Sequence, residues 1–574
     1  MRLPNYNIWK ESSLGFLILL LSGLARGEGF MDPDQLKPGM KGVGKAVFQE
    51  MEVEEFEVEL LGVLKKWRPN GDLILAKLSG GPLEKTGVIA GMSGSPVYIQ
   101  GKLIGAIAYA WPFATQPIAG ITPIGEMLRI PRGGGGWSEA SPQRSGGISH
   151  LTPLATPVML SGFSPQVLEE MIPFLKGLGC LPLQAEGQGM EDQEARPQPG
   201  SAIGVQLVRG DAEAIAVGTL TYVDGDRIYA FGHSFLNAGG VDFPFTGIHV
   251  HSILPSQVIS FRFTSSAALW GKINQDTEAG ISGLFKEQAK LIPLKINLSL
   301  LDSTRDYRFE IVDHKALSAQ FFRWASLNAL LSSLGNREAT LKVYWQIFLK
   351  SYPPQEREEL FTGLVPSFPL ASQLADIIGK IQDNEFERAR IEEVTLRVRL
   401  EEGRKSAILK ELRLDRNIVR PGDKLMVTLF FQPYSAPPFK REVEVLIPPT
   451  VPEGEMWVKV GGYECLRNWE KEKNPYRYTP HNLPQLLEII CQEKGSNMVG
   501  VELWSSEAGY SVEGRELPSL PPSALEVMES SPSKGGSGLV KGRRVFDRWL
   551  KLGYSISGCQ EVSLRVKRFP RRRR

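Results

Sequence analysis

Thr86-Gly-Val-Ile-Ala-Gly-Met-Ser-Gly-Ser-Pro-Val-Tyr-Ile-Gln-Gly-Lys-Leu-Ile-Gly-Ala-Ile-Ala-Tyr109 holds the residues best suited to covalent chemistry. Ser93 lies between Gly91 and Gly94, and a glycine two residues ahead of a serine lets a loop aim its amides at one point. The Gly91 and Ser93 amides are therefore candidate donors to a substrate oxyanion, each such donor contributing about 3 kcal/mol to transition-state stabilisation. A serine hydroxyl is a weak nucleophile until a base takes its proton, so one of six histidines must serve. His233 is the candidate: Val217–Asp224 reads as a strand, Asp224-Gly225 as a turn, Arg227–Phe231 as a second strand, and Gly232 frees the backbone just before the imidazole. His249 and His251 alternate on one strand face, but sequence offers no third histidine or acidic partner, so no metal is expected. His150, His314 and His481 fall in connector or helix-start contexts and read as structural or exposed.

The nucleophile loop needs a rigid mount. Pro96–Ile99, a Gln100-Gly101 turn and Leu103–Ala108 form a β-hairpin signature, followed by Pro117–Ile124. The chain divides at shifts of composition. Residues 1–30 carry Arg2 and Lys10, an apolar run from Leu14 to Ala25 and then Arg26-Gly-Glu. That pattern reads as a signal peptide or N-terminal anchor, too short to span a bilayer comfortably. Residues 36–130 carry the serine; 131–201 combine linkers at 132–147 and 185–201 with a small helical insert around Pro165–Leu178; 202–302 are strand-rich and carry the histidine. Residues 303–387 read as helical, over Ala316–Leu334 and Leu370–Gln382, and 388–450 as a β-sandwich-like domain. The remainder, 451–574, reads as mixed α/β with a helix at Leu483–Glu493 and a basic tail ending in four arginines.

With 574 residues, 42% hydrophobic and 23% charged, the chain has the balance of several folded domains. Gly 59 and Pro 40 favour short strands and turns. A net charge of +2 gives no global field for nucleic acid, and no nucleic-acid partner is expected. The four cysteines have no metal-ligand spacing; Cys465 is a candidate partner for Cys491 in an oxidising compartment. A Walker loop, a dinucleotide fingerprint and a zinc-protease helix are missing from the sequence, so no cofactor is expected.

Gly87–Leu128, with its Gly-Met-Ser-Gly-Ser-Pro core, together with Gly218-Thr-Leu-Thr221 and Phe231-Gly-His233, resembles the SpoIVB-type serine endopeptidases. The resemblance implies a mainly β chain with a trypsin-like double β-barrel, Ser93 as nucleophile, His233 as general base, and an extracytoplasmic endopeptidase. Two departures stand out. Ser93 precedes His233 by 140 residues, the reverse of trypsin-like order, so the domain is expected to be circularly permuted. The family places an orienting Asp ahead of the serine, whereas the corresponding Lys77–Pro82 contains none; Asp72, Asp224, Asp226 and Asp242 are substitutes that sequence leaves unranked. Loss of the orienting carboxylate can cost ~10⁴ in rate.

The expectation is thus an exported, SpoIVB-like serine endopeptidase cleaving an envelope protein by Ser/His acyl-enzyme chemistry. It is secreted or N-terminally anchored, and touches the membrane surface, if at all, through the N-terminal segment or the basic tail. The alternative is a non-catalytic envelope binding or scaffold protein that keeps a peptidase-like fold.

Overall fold

The computed structural model describes residues 29–568 apart from 70, 112–113, 133–150, 186–195, 507–508, 513–514, 518–520, 522, 525 and 527–536. The N-terminal apolar run, most of both linkers, His150 and the arginine tail lie outside the described residues. Among the described residues no helix is long and apolar enough to cross a membrane.

Alternation of apolar and charged residues sets the first sheet. In β2 (Val53–Arg68), Phe56, Val58 and Leu60 are buried while Glu55, Glu57 and Glu59 face solvent. With β1 (Lys41–Val47), β3 (Gly71–Ser79), β4 (Pro96–Ile99), β5 (Lys102–Ala110) and β6 (Ile118–Pro123), the order is β4-β1-β2-β3-β6-β5. The β4–β5 hairpin closes this into a six-stranded antiparallel barrel. Its turn uses positive φ at Gln100 (54°) and Gly101 (76°), the backbone twist that a two-residue hairpin favours.

Three short strands lead on, β7 (Thr152–Pro153), β8 (Thr156–Ser161) and β9 (Cys180–Gln184), with helix Pro165–Gly177 between the last two. A second set follows: β10 (Ala202–Gly210), β11 (Glu213–Asp224), β12 (Arg227–Ala230), β13 (Gly239–Leu254), β14 (Phe261–Thr277) and β15 (Gly280–Phe285). Their order β10-β13-β14-β15-β12-β11 closes through β10–β11, making a second six-stranded antiparallel barrel. The serine lies in the first barrel's sequence and the histidine in the second's, so the chain has the trypsin-like double barrel in permuted order.

The region expected to be helical, 303–387, differs in kind. Helices Ser318–Leu334 and Ser367–Gln382 are present, but strands Thr304–Val312, Ala339–Leu349 and Tyr352–Gly363 flank them. Together with Leu291–Ser299 and Ile391–Glu402, these strands extend the second barrel's sheet through β10. Ala339–Leu349 alternates buried and half-buried side chains because one face packs on the helices, a strand pattern eclipsed in sequence by the longer apolar helices beside it. The sandwich is also larger than 388–450. Ile391–Glu402 belongs to the large sheet, whereas strands from Ser406 to Leu446 pack on a sheet built from Gly454–Gly462, Met498–Ser505, Arg543–Lys551 and Cys559–Val566. One apolar core joins Leu425, Val427 and Phe431 to Val458, Val460 and Val501.

Cys465 pairs with Cys559, not Cys491. The helix Tyr463–Lys473 begins beside the strand that Cys559 opens, while Cys491 lies on Leu483–Gln492 and donates to Gln355 Oε1 at 2.8 Å. The bridge closes a sequence separation of 94, which the loop-entropy account places at about 4.7 kcal/mol. Cys465→Ser should lower the melting temperature of the C-terminal body in calorimetry. Reductant should lower that of the wild type to the same value and leave the variant unchanged.

Candidate active site

The two barrels meet through backbone, and glycine makes the approach possible. A Cβ on Gly94 would stand 1.9 Å from Thr219 O and 2.6 Å from Phe231 N, and Gly94 has φ of +99°. Gly232 packs on β5 less tightly, a Cβ there meeting the Ala106 and Ala108 side chains at 3.0 and 3.2 Å. Thr122 Oγ1 of the first barrel donates to Gly232 O at 2.6 Å. The Ser93 and His233 segments are thus packed on each other, one barrel on the other.

The carbonyls of the nucleophile loop end on the second barrel. Thr219 Oγ1 donates to Gly91 O (3.0 Å), the Thr219 amide to Ser93 O (2.8 Å) and Thr221 Oγ1 to Gly94 O (2.7 Å). Alternation along β11 puts Thr219 and Thr221 on one face, which gives the Gly218-Thr-Leu-Thr221 motif a structural task. Arg262 from β14 adds a donor to Gly91 O at 3.1 Å. The amides of Ala90, Met92, Gly94 and Ser95 go to Ser260, Ile89, Ile107 and Met92 carbonyls. Those of Gly91 and Ser93 have no protein acceptor among the described residues, as two oxyanion donors would require.

Ser93 is fully buried and His233 is 2% exposed. Ser93 Oγ and His233 Nε2 are both without a hydrogen-bond partner, so the hydrogen bond between them is not formed in this state. Such bonds often tighten only when substrate is bound. His233 Nδ1 meets Ser234 O at 2.8 Å, which assigns the proton to Nδ1 and leaves the lone pair on Nε2. Burial pushes the imidazole down to about 4.

None of the four aspartates singled out from sequence hydrogen-bonds to His233. Asp72 accepts from Lys65 Nζ and the Lys66 amide, and Asp224 faces Arg132. Asp242 accepts from the Lys290 amide and lies by Lys272, and Asp226 contributes its backbone oxygen to the Phe285 amide. His249 and His251 stack with ring centroids 4.7 Å apart, and His251 Nε2 meets Ser265 Oγ at 2.9 Å.

Two residues that sequence reasoning passed over shape the site. Asp276, 1% exposed, accepts the amides of Phe235 (2.8 Å), Leu236 (2.6 Å) and Ala238 (3.3 Å), fixing the loop that follows His233. Burial raises its carboxyl to about 6 despite those donors. Asn274-Gln275-Asp276 reads as a solvated strand end, and only closure of the barrel buries it. Arg262, 1% exposed, pairs with no carboxylate among the described residues, where its Nε and Nη2 are also unpartnered, and burial lowers it to about 9.

The permuted double barrel defines the class of fold as trypsin-like. Residues 33–127 match the family model SpoIVB peptidase S55, which supports a SpoIVB-type serine peptidase. The match covers the serine-bearing barrel. No curated protein and no solved structure matches the chain.

Gly94→Ala should destabilise the protein by on the order of 3 kcal/mol or more, because neither backbone neighbour can withdraw without parting the barrels. Thermal unfolding measures this. The same change at exposed Gly39, where a Cβ meets nothing within 4 Å, should cost less because only its positive φ is strained.

Proposed function

We propose that the chain is an exported serine endopeptidase acting on a protein of the cell envelope, with Ser93 as nucleophile and His233 as general base. One observation carries the reading. Serine and histidine segments 140 residues apart are packed together at a barrel junction where the Gly91, Ser93 and Gly94 carbonyls are held by the second barrel, leaving the Gly91 and Ser93 amides free for a substrate oxygen. The Cys465–Cys559 bridge and the apolar N-terminal segment support export, since disulfides persist in oxidising compartments.

In the proposed reaction His233 Nε2 takes the Ser93 hydroxyl proton as Oγ attacks the peptide carbonyl. The tetrahedral oxygen rests on the Gly91 and Ser93 amides, and His233 then gives its proton to the leaving amine. Water repeats the sequence on the acyl-enzyme. With the Ser234 carbonyl at Nδ1, His233 is a tautomer-fixed but weak base, and turnover should be slow, toward the ~10⁴-fold loss of a triad without its carboxylate.

A second reading, a binding or scaffold protein on a peptidase fold, is favoured by the missing carboxylate at Nδ1 and by the complete burial of Ser93. Labelling with a fluorophosphonate separates the two. The peptidase reading expects slow, stoichiometric labelling that Ser93→Ala abolishes; no labelling after prolonged incubation, or labelling retained in Ser93→Ala, overturns it.

The pH profile is a further test. Because His233 is lowered to about 4 in the folded chain, Nε2 stays unprotonated down to that pH, and the acid limb of labelling should fall near pH 4 and not near 6.5. Stability has the same sign: the unfolded histidine protonates first, so its contribution is present above about pH 6.5 and is lost as pH falls toward 4. Denaturant titration of wild type and His233→Gln across this range should differ in slope.

A further inference from the structure

The cleft between the barrels holds a strand of the chain itself. The β4 strand pairs with β5 only from Lys102 to Ala106, and the nucleophile loop takes Ile107, so the edge from Ala108 to Ala110 would lie unpaired beside Ser93. Residues 151–155 fill it. Thr152 pairs with Ala110 and Pro153 with Tyr109, antiparallel, and the Leu154 amide donates to Ala108 O at 2.9 Å.

The same segment then crosses to the histidine-bearing barrel, where Val158 pairs with Ala216 of β11. On the way it passes the nucleophile loop: a Cβ on Gly91 would lie 3.6 Å from Pro157 Cγ. One extended run thus pairs with the serine-bearing barrel before Gly91 and with the other barrel after it. An added strand takes its affinity from main-chain hydrogen bonds and its specificity from pockets for alternate side chains.

Leu154, 8% exposed, belongs to the apolar cluster of Ile89, Met92 and Ile107. Beside it opens a cavity of about 170 Å³ bounded by Thr86, Val88, Ala90, Ala110 and Trp111, with no charged residue anywhere in its lining. A basic or acidic side chain would find no charged partner among this mixed neutral lining, whereas an aliphatic one can lie against Val88, Ile118, Val258 and Ile259.

Taking Ala108–Ala110 as the edge on which a trypsin-like site pairs its substrate, we propose that residues 151–155 are a built-in competitor for that edge and that a peptide displacing them carries an aliphatic residue at the position of Leu154. The chemistry rests on the peptidase reading of Ser93; the binding does not.

The test uses the full chain carrying Ser93→Ala, with and without Leu154→Asp, and a fluorescein-labelled hexapeptide of sequence Leu-Thr-Pro-Leu-Ala-Thr, matching residues 151–156. A cleft open one part in ten weakens an outside ligand about tenfold, so the Leu154→Asp chain should bind the peptide at least about tenfold tighter by anisotropy. A peptide with Asp in place of the second leucine should bind neither chain. A folded Leu154→Asp chain that binds no better, or that binds both peptides alike, overturns the proposal. Should Leu154→Asp fail to fold, hydrogen exchange on the unaltered chain decides: excess peptide should speed exchange of the Leu154 amide, and unchanged protection overturns the proposal. Tighter binding in a protein whose Ser93 never labels would sustain the edge while removing the peptidase.

Discussion

Three carbonyl oxygens of one loop, those of Gly91, Ser93 and Gly94, end on Thr219, Thr221 and Arg262 of the opposite barrel. Buried carbonyls must be satisfied, and here the partners lie across a domain junction, so the loop takes its shape only when the barrels meet. Everything the site offers follows from this constraint. With the carbonyls held to one side, the intervening amides are left for a ligand. Because Gly94 and Gly232 permit backbone-to-backbone packing, the histidine segment comes up against the serine segment.

The site is closed in this state, and its electrostatics reflect closure. Burial lowers His233 and Arg262 and raises Asp276, each toward its neutral form. Asp276 is tied to the loop after His233 by backbone amides, and Arg262 to the loop before Ser93 by a carbonyl. Both ionisable groups shape backbone, and neither bonds to the other's loop. The large-sheet strands join this unit through β10, and the C-terminal sandwich meets the far edge of that sheet, where Ser496 and Lys551 bond to Glu359, Leu360 and Glu358.

Local signals made part of this legible. The Gly-Met-Ser-Gly-Ser-Pro loop, its following hairpin, the strand and turn ahead of His233, and two of the helices are short-range patterns, and each is found close to where sequence places it. What depends on distant pairing was not legible. The strands between Thr304 and Gly363 were masked by stronger helical periodicity, and the sandwich was cut short because its second sheet is assembled from segments as far on as Cys559–Val566. The cysteine pairing failed as sequence distance, since Cys559 is near Cys465 only after that sheet forms. Asp276 and Arg262 carry no motif; their roles exist only inside a closed barrel.

A crystal structure of the full chain after reaction with a leucyl fluorophosphonate is the most direct measurement of the account. It should show phosphorus on Ser93 Oγ, the phosphoryl oxygen on the Gly91 and Ser93 amides, and His233 Nε2 within hydrogen-bond reach of the adduct. An unmodified Ser93, or an adduct whose oxygen lies away from both amides with His233 still turned aside, would contradict it.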